Sequence, residues 1–228
     1  MKHAGEARRA GLKIIIWTLV AVCAMAAMGF LGKYVAQFVL WISEGLFVLW
    51  VLFALFTLYF FRDPEARTPS LARAVVSPGH GKVDLVDQCD EAKFIGGRCH
   101  RISIFLSVIN VHVQNAPVAG KVSLLAHTEG QFLSAVSSDC SLHNENLLIG
   151  FESSEIANDR IGLRLIAGLI ARRIVPFVKL DDIVSRGERI SLIQFGSRCD
   201  LYLPLDYKVQ VKLGDKVVGG ESIMAIKP

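Results

Sequence analysis

Apolar positions are not spread evenly along the chain. Residues 14–31, IIIWTLVAVCAMAAMGFL, form an uncharged and mostly apolar run, and after Gly32-Lys33 the pattern resumes to Phe61 with only Glu44 interrupting it. No polar stripe recurs at helical spacing, so the segment reads as a helix meant for an apolar surrounding on all sides. From 14 to 61 is 48 residues, and two crossings of a bilayer core need about 40 at 1.5 Å per residue. The pattern therefore predicts a transmembrane helical hairpin, with the second crossing near 42–61 and Glu44 close to the turn. A cleaved signal peptide is the competing reading, since Ala24-Met25-Ala26 resembles a cleavage site, but the second apolar run argues against it.

Beyond residue 61 the period changes. ISIF (102–105), VHV (111–113), KVSLLA (121–126), SLIQF (191–195), DLYLP (200–204) and YKVQVKL (207–213) are short runs separated by turn signals such as Ser77-Pro78-Gly79, Gly96-Gly97 and Gly219-Gly220. In 207–213 the alternation is strict, with Tyr207, Val209, Val211 and Leu213 on one face. GLIARRIV (168–175) has helical spacing. The expected fold is mainly β, an antiparallel sandwich or barrel-like core with short helices. The expected division is a two-span membrane anchor over 1–61 and a β domain over 62–228.

Composition sharpens this division. The apolar set supplies 44 of the first 61 residues, including all three tryptophans. The remaining 167 hold about 75, close to an ordinary soluble domain. Lys2, Arg8, Arg9 and Lys13 precede the first run, and Arg62, Arg67 and Arg73 follow the second, with only Lys33 between. The positive-inside rule puts both flanks, and the β domain, on the cytoplasmic side of the cell (inner) membrane. Residues 62–228 carry 20 basic and 19 acidic side chains, which leaves no basic footprint for nucleic acid. Five widely spaced cysteines without a C-x-x-C pair suggest no disulfide framework. Cys99-His100 and Cys140-x-x-His143 are too loose to read as a zinc site, so no metal is expected.

The common nucleophile and phosphate-loop signatures are missing, and three places carry candidate chemistry. His112, in Val111-His112-Val113, would share a strand face with Asn110 and Gln114, either lining a site or meeting water. His80 sits between Gly79 and Gly81 in a turn. In Phe195-Gly196-Ser197-Arg198 a serine hydroxyl could attack the carbonyl before it and turn the peptide bond into an ester, a step that side-chain-free Gly196 does not obstruct.

These residues lie in a series of motifs: FFRDPEARTP (60–69), VVSPGHGKV (75–83), ISIFLSVINVHVQNAPVAGKV (102–122), GQFLSA (130–135), NEN (144–146), IAGLIARRIV (166–175), RGERISLIQFGSRCDLYLP (186–204) and GDKVVGGESIMAIKP (214–228). In that order they resemble the short bacterial form of phosphatidylserine decarboxylase proenzyme. The resemblance implies self-cleavage between Gly196 and Ser197 into a β chain, 1–196, and an α chain, 197–228, that stay associated. It implies that Ser197 becomes a pyruvoyl group, the electron sink to which the amine of phosphatidylserine in the bilayer is joined, with phosphatidylethanolamine and carbon dioxide as products. His112 would transfer a proton beside it. The family pattern S-P-x-D-G-K has Asp where this chain has His80, so His80 would have to serve as the base for cleavage. Leu165, Asn115, Ser191 and Gln194 also stand where the family commonly has Gln, Arg, Gly and Arg. Arg172, Arg173 and Arg198 are phosphate candidates by charge, and a homo-oligomer is compatible with all of this. Two other readings stand beside it. One is a tethered, non-catalytic β module that does not mature; its last segment resembles biotinyl and lipoyl carrier domains, which share a related sandwich. The other is a decarboxylase of a different serine-headgroup lipid.

Overall fold

The computed structural model describes residues 6–130, 144–168, 173–193 and 197–228, with the backbone alone for 6–12 and 14. Contacts divide it into two units, 1–57 and 58–228.

The first unit is helix. α1 runs from Glu6 to Phe60 without a break, about 80 Å at 1.5 Å per residue. Ile15–Phe60 is long and apolar enough to cross a membrane. The hydroxyls of Ser43 and Thr57 donate back to Leu40 and Phe53 carbonyls, which satisfies them inside the helix. The expected hairpin is not formed: no turn interrupts the backbone near Lys33. The physical reason is local. Gly32-Lys33-Tyr34-Val35-Ala36-Gln37 contains no proline and no Asn, Asp or Ser to compete for backbone hydrogen bonds.

The second unit is antiparallel β throughout its described pairings. Its largest sheet has eight strands: β2 (Gly81–Glu91), β3 (Gly97–Leu106), β5 (Gly120–Thr128), β6 (Asn146–Ser153), β7 (Arg160–Ala167), β9 (Ile183–Val184), β11 (Ser197–Leu203) and β13 (Lys216–Val217). Their spatial order is β13-β2-β3-β11-β7-β6-β5-β9. Two three-stranded sheets complete it. One joins β1 (Ala74–Val76), β14 (Ile223–Ile226) and β12 (Lys208–Val209); the other joins β4 (Val113–Asn115), β10 (Arg189–Ile193) and β8 (Ile174–Pro176). One apolar core serves all three, with Val75 and Met224 from the first small sheet, Ile190 and Ile193 from the second, and Ile104, Leu163 and Leu201 from the large one.

Several expectations change in detail. Among the described residues of 61–228 there is no helix, and Ile174–Val175, expected as a helix end, lies in β8 against β10. Of YKVQVKL only Lys208–Val209 pairs; Lys212 and Asp215 close a turn, and Leu213 is exposed. Strand β2 hides its alternation behind a bulge between Val83 and Leu85. On the outer face of the large sheet, Gly150 and Gly162 lie directly opposite each other, and the Phe94 and Tyr202 rings occupy the space their side chains would need.

Candidate active site

Strand β11 places Ser197. It lies between β3 and β7, with Ser197 opposite Leu106 on one side and Ala167 on the other. Every residue of β11 is buried, as a central strand covered on both faces requires. Cys199, Leu201 and Leu203 point into the core, and Ser197 shares their face by the two-residue repeat. Its hydroxyl is buried and has no hydrogen-bond partner among the described residues. An unmet hydroxyl in such surroundings costs roughly 1–3 kcal/mol, so this atom is held ready rather than tied down. Gly196 and Gln194 lie outside the described residues.

His112 comes from the neighbouring small sheet. β10 pairs with β4 in the register Leu192↔Val113 and Ser191↔Gln114, and the Ile193 N–H donates to the His112 carbonyl at 3.1 Å. The Gln114 amide donates to the same carbonyl at 2.6 Å, while the Ser191 hydroxyl holds Gln114 from behind at 2.8 Å. The chain thus leaves β10 beside His112 and, four residues after Ile193, reaches Ser197. The imidazole is 1% exposed and stacks on the Phe60 ring at 4.4 Å between centroids. Its Nδ1 lies 2.9 Å from the Asn110 carbonyl, which can only accept, so Nδ1 carries the proton and Nε2 the lone pair. Burial pushes the imidazole pKa down to about 4, with the Asn110 hydrogen bond opposing and the Arg62 charge assisting.

This differs from the expected strand face. Residues 107–110 make a turn in which Asn110 Oδ1 accepts from the Ser107 N–H and hydroxyl. Asn110 is spent locally, Gln114 turns back on the chain, and β4 begins only at Val113. His112 is therefore enclosed, not wet.

His80 lies in the bend before β2, where the Ser77 hydroxyl donates to the Gly79 carbonyl and Asn115 N–H donates to Pro78. Burial lowers its pKa, with Glu221 opposing and Arg62 assisting, so the ring is neutral at pH 7. It lines a cavity of about 510 Å³ together with Ser107, Asn110 and Val111. Ser107 immediately follows the partner of Ser197, and Val111 immediately precedes His112. The cavity is thus walled by chain neighbours of both candidate residues, and by His80 itself.

The three arginines behave differently. Arg172 lies outside the described residues, and Arg173 is exposed ahead of β8. Arg198 alternates to the opposite face of β11 from Ser197, where it is 4% exposed and ion-paired with Asp84 at 2.8 Å and Asp200 at 3.2 Å. Burial raises the Asp84 pKa in spite of Arg198. Cys140 and His143, the looser half of the discounted metal pattern, are also outside the described residues.

Sequence reasoning missed Phe60 and Arg62. Both were counted only as the end and flank of the apolar segment, yet Phe60 is 1% exposed against His112, and Arg62 donates to the Ile109 carbonyl at 2.7 Å. Their place in FFRDPEARTP, inside the motif series, was the available signal.

Residues 53–225 match the family model for phosphatidylserine decarboxylase. A phosphatidylserine decarboxylase proenzyme of Desulfotalea psychrophila is 46% identical over 168 residues, covering 74% of this chain and 78% of its own. That of Syntrophus aciditrophicus is 39% identical over 222 residues, 97% of this chain and 98% of its own. That of Pelobacter propionicus is 44% identical over 168 residues, 74% and 75% respectively. With the match running through the β domain and taking in Ser197, His112 and the cavity beside them, the chain belongs to the phosphatidylserine decarboxylase family.

Proposed function

We propose that this chain cuts itself between Gly196 and Ser197 and then decarboxylates phosphatidylserine to phosphatidylethanolamine. The observation that carries the reading is the Ser197 hydroxyl, fully buried and unpartnered at the first residue of a central strand. Its oxygen adds to the Gly196 carbonyl carbon, the C–N bond breaks as the nitrogen takes the proton, and the acyl group moves from nitrogen to oxygen as an ester. Loss of the Ser197 Cα proton then expels the Gly196 carboxylate and parts the chains, and water replaces the nitrogen of the resulting dehydroalanine by oxygen, releasing ammonia. Serine needs a base for this. His80, neutral through burial, supports that role for a residue standing where the family has Asp.

The pocket also suits a pyruvoyl group. In a pyruvoyl group the Ser197 side chain would be a methyl, which removes the orphaned O–H from the buried pocket, and the α-nitrogen would give way to a carbonyl oxygen that only accepts. Such a group supplies an electron-withdrawing carbonyl for the substrate amine. The rest falls to the chain. His112, fixed in one tautomer by Asn110, offers Nε2 as a proton acceptor and then returns that proton to the carbon that has lost its carboxylate. Phe60 and the buried walls exclude water from the reacting end.

A diacyl substrate stays in the bilayer, and the apolar helix would hold the domain at its surface. A straight helix through Ile15–Phe60 is more than twice as long as a hydrocarbon core of about 30 Å. We place the β domain on the cytoplasmic side, since Arg62, Arg67 and Arg73 follow the apolar run. Cleavage of the β domain by protease added outside intact cells would overturn that placement.

The decisive test is intact mass with carbon dioxide release from phosphatidylserine vesicles. Wild type should give chains of 196 and 32 residues and release carbon dioxide; Ser197→Ala should give one chain and none. A single wild-type chain without turnover would overturn the reading and favour a non-catalytic module. Turnover confined to another serine-headgroup lipid would change the substrate alone.

A further inference from the structure

Lys82 and Lys216 are directly opposite each other where β13 pairs with β2. Like charges facing across an antiparallel pair repel, and sequences ordinarily avoid or neutralise them. Here both lysines line the cavity that holds His80, and Arg62 joins them on its wall. Among the described residues neither lysine is paired with a carboxylate. The acids nearby are engaged elsewhere: Asp84 with Arg198, and Glu221 with the Arg67 N–H. Asp215, at the turn just before Lys216, accepts from the Lys212 N–H. The Arg62 guanidinium donates to the Tyr59 and Ile109 carbonyls, which satisfies its hydrogen bonds and leaves its charge unneutralised. A cavity walled by three cations, with the charge of Glu221 felt at His80, favours an anion.

Position identifies which anion. Lys82 is opposite Phe105 on β3, and Phe105 is opposite Arg198, the residue after Ser197. That register puts both lysines on the Arg198 face of the sheet, opposite the face of Ser197, and they enter the cavity at the end of the sheet, where Ser107 follows Leu106, the partner of Ser197, in the same wall. A headgroup whose amine is at position 197 leaves by this end, with its phosphate toward the lysine pair. Arg62 lies two residues beyond the end of α1, so the same wall is next in the chain to the apolar helix.

We propose that Lys82 and Lys216, with Arg62 beside them, form the subsite for the phosphodiester of the lipid headgroup, a role that charge alone had suggested for Arg198. This rests on the decarboxylase reading of Ser197. The shared chemistry is a phosphate anion, which could also be free inorganic phosphate, and the test separates the two. In the uncleaved Ser197→Ala chain, binding of glycerophosphoserine and of inorganic phosphate is measured with and without Lys82→Ala/Lys216→Ala. In the cleaved enzyme, KM and kcat are measured on monomeric dihexanoyl phosphatidylserine, which removes the bulk membrane surface from the comparison. The double alanine variant should weaken glycerophosphoserine binding and raise KM by tenfold or more, with kcat changed less than threefold. Lys82→Arg/Lys216→Arg should restore most of the binding, and Lys208→Ala on β12 should change nothing. Intact mass should still show two chains, so loss of folding or maturation is read separately.

A double variant that matures normally with binding and KM within twofold of its parent would overturn the subsite. So would inorganic phosphate binding as tightly as glycerophosphoserine, which would make it a free-phosphate site. Failure of the wild type to turn over any lipid would instead strike the decarboxylase reading, while the binding arm still decides the subsite.

Discussion

Replacing His112 by Phe should remove an acid-sensitive component of the fold's stability. The imidazole is 1% exposed against Phe60, and burial takes its pKa from 6.5 to about 4. The unfolded chain therefore binds a proton below pH 6.5 that the folded chain refuses until about pH 4. A base with a depressed folded pKa contributes its full stability above the unfolded value and loses it as pH falls through the window between the two. At about 1.4 kcal/mol per pKa unit, the loss between those limits is about 3 kcal/mol. Phe stacks on Phe60 equally well and takes up no proton, although it gives up the bond to the Asn110 carbonyl. The comparison is made between Ser197→Ala and Ser197→Ala/His112→Phe, neither of which can cleave, by thermal unfolding in detergent from pH 7.5 to 4. A domain of this size moves by about 2–4 °C per kcal/mol. The parent should fall about 6–12 °C further than the variant, while carboxylates and His80 contribute equally to both. Parallel curves, within 2 °C throughout, would show that His112 is not held neutral by burial. The same shift bears on catalysis: the acid limb that His112 imposes on turnover should lie near pH 4 and not near 6.5.

His80→Ala should slow self-cleavage by about 10²-fold or more, as loss of a general base does, followed as disappearance of the 228-residue chain; an unchanged half-time removes His80 from that step. Gly81→Ala should cost about 1–3 kcal/mol, because a Cβ there would lie 2.2 Å from the Phe105 carbonyl oxygen, whereas Gly97→Ala meets nothing within 4 Å and should be tolerated. Chemical denaturation of the uncleaved chain compares them. Arg198→Met should cost about 3–5 kcal/mol by leaving buried Asp200 and half-buried Asp84 uncompensated, and adding Asp84→Asn and Asp200→Asn should recover part of it.

The apolar helix and the antiparallel character of the domain were legible from local pattern, because each residue there follows its own element's period. Ser197 and His112 were legible through their motifs. What pattern could not show was burial set by distant chain. Asn110 and Gln114 look like a water-facing strand surface, yet both amides bond inward and leave His112 enclosed. Phe60 reads as the tail of a membrane segment but packs inside the β domain. Arg198 reads as a spare cation because Asp84, its main counter-charge, is more than a hundred positions away. Lys82 and Lys216 are farther apart still and become neighbours only in β2–β13 pairing. The missed turn in α1 has the opposite origin: length argued for it, but the helix runs on through Gly32, with no proline nearby to end it.

The place of β11 between β3 and β7 has a consequence for timing. Residues 197–228 leave the ribosome after β2 through β10 have emerged, yet β11 must enter the middle of the large sheet, with β14 closing a second sheet against β1. Until they arrive, the sheet stays split along its centre line and Ser197 has no socket. The proposed cut at Gly196–Ser197 would thereby wait until the last strands have docked. The order cannot be reversed. A short chain made separately would have to pry apart two strands already free to pair with each other, so fragments 1–196 and 197–228 expressed apart should fail to assemble, whereas the same two pieces made by a cut in the finished fold remain interlocked.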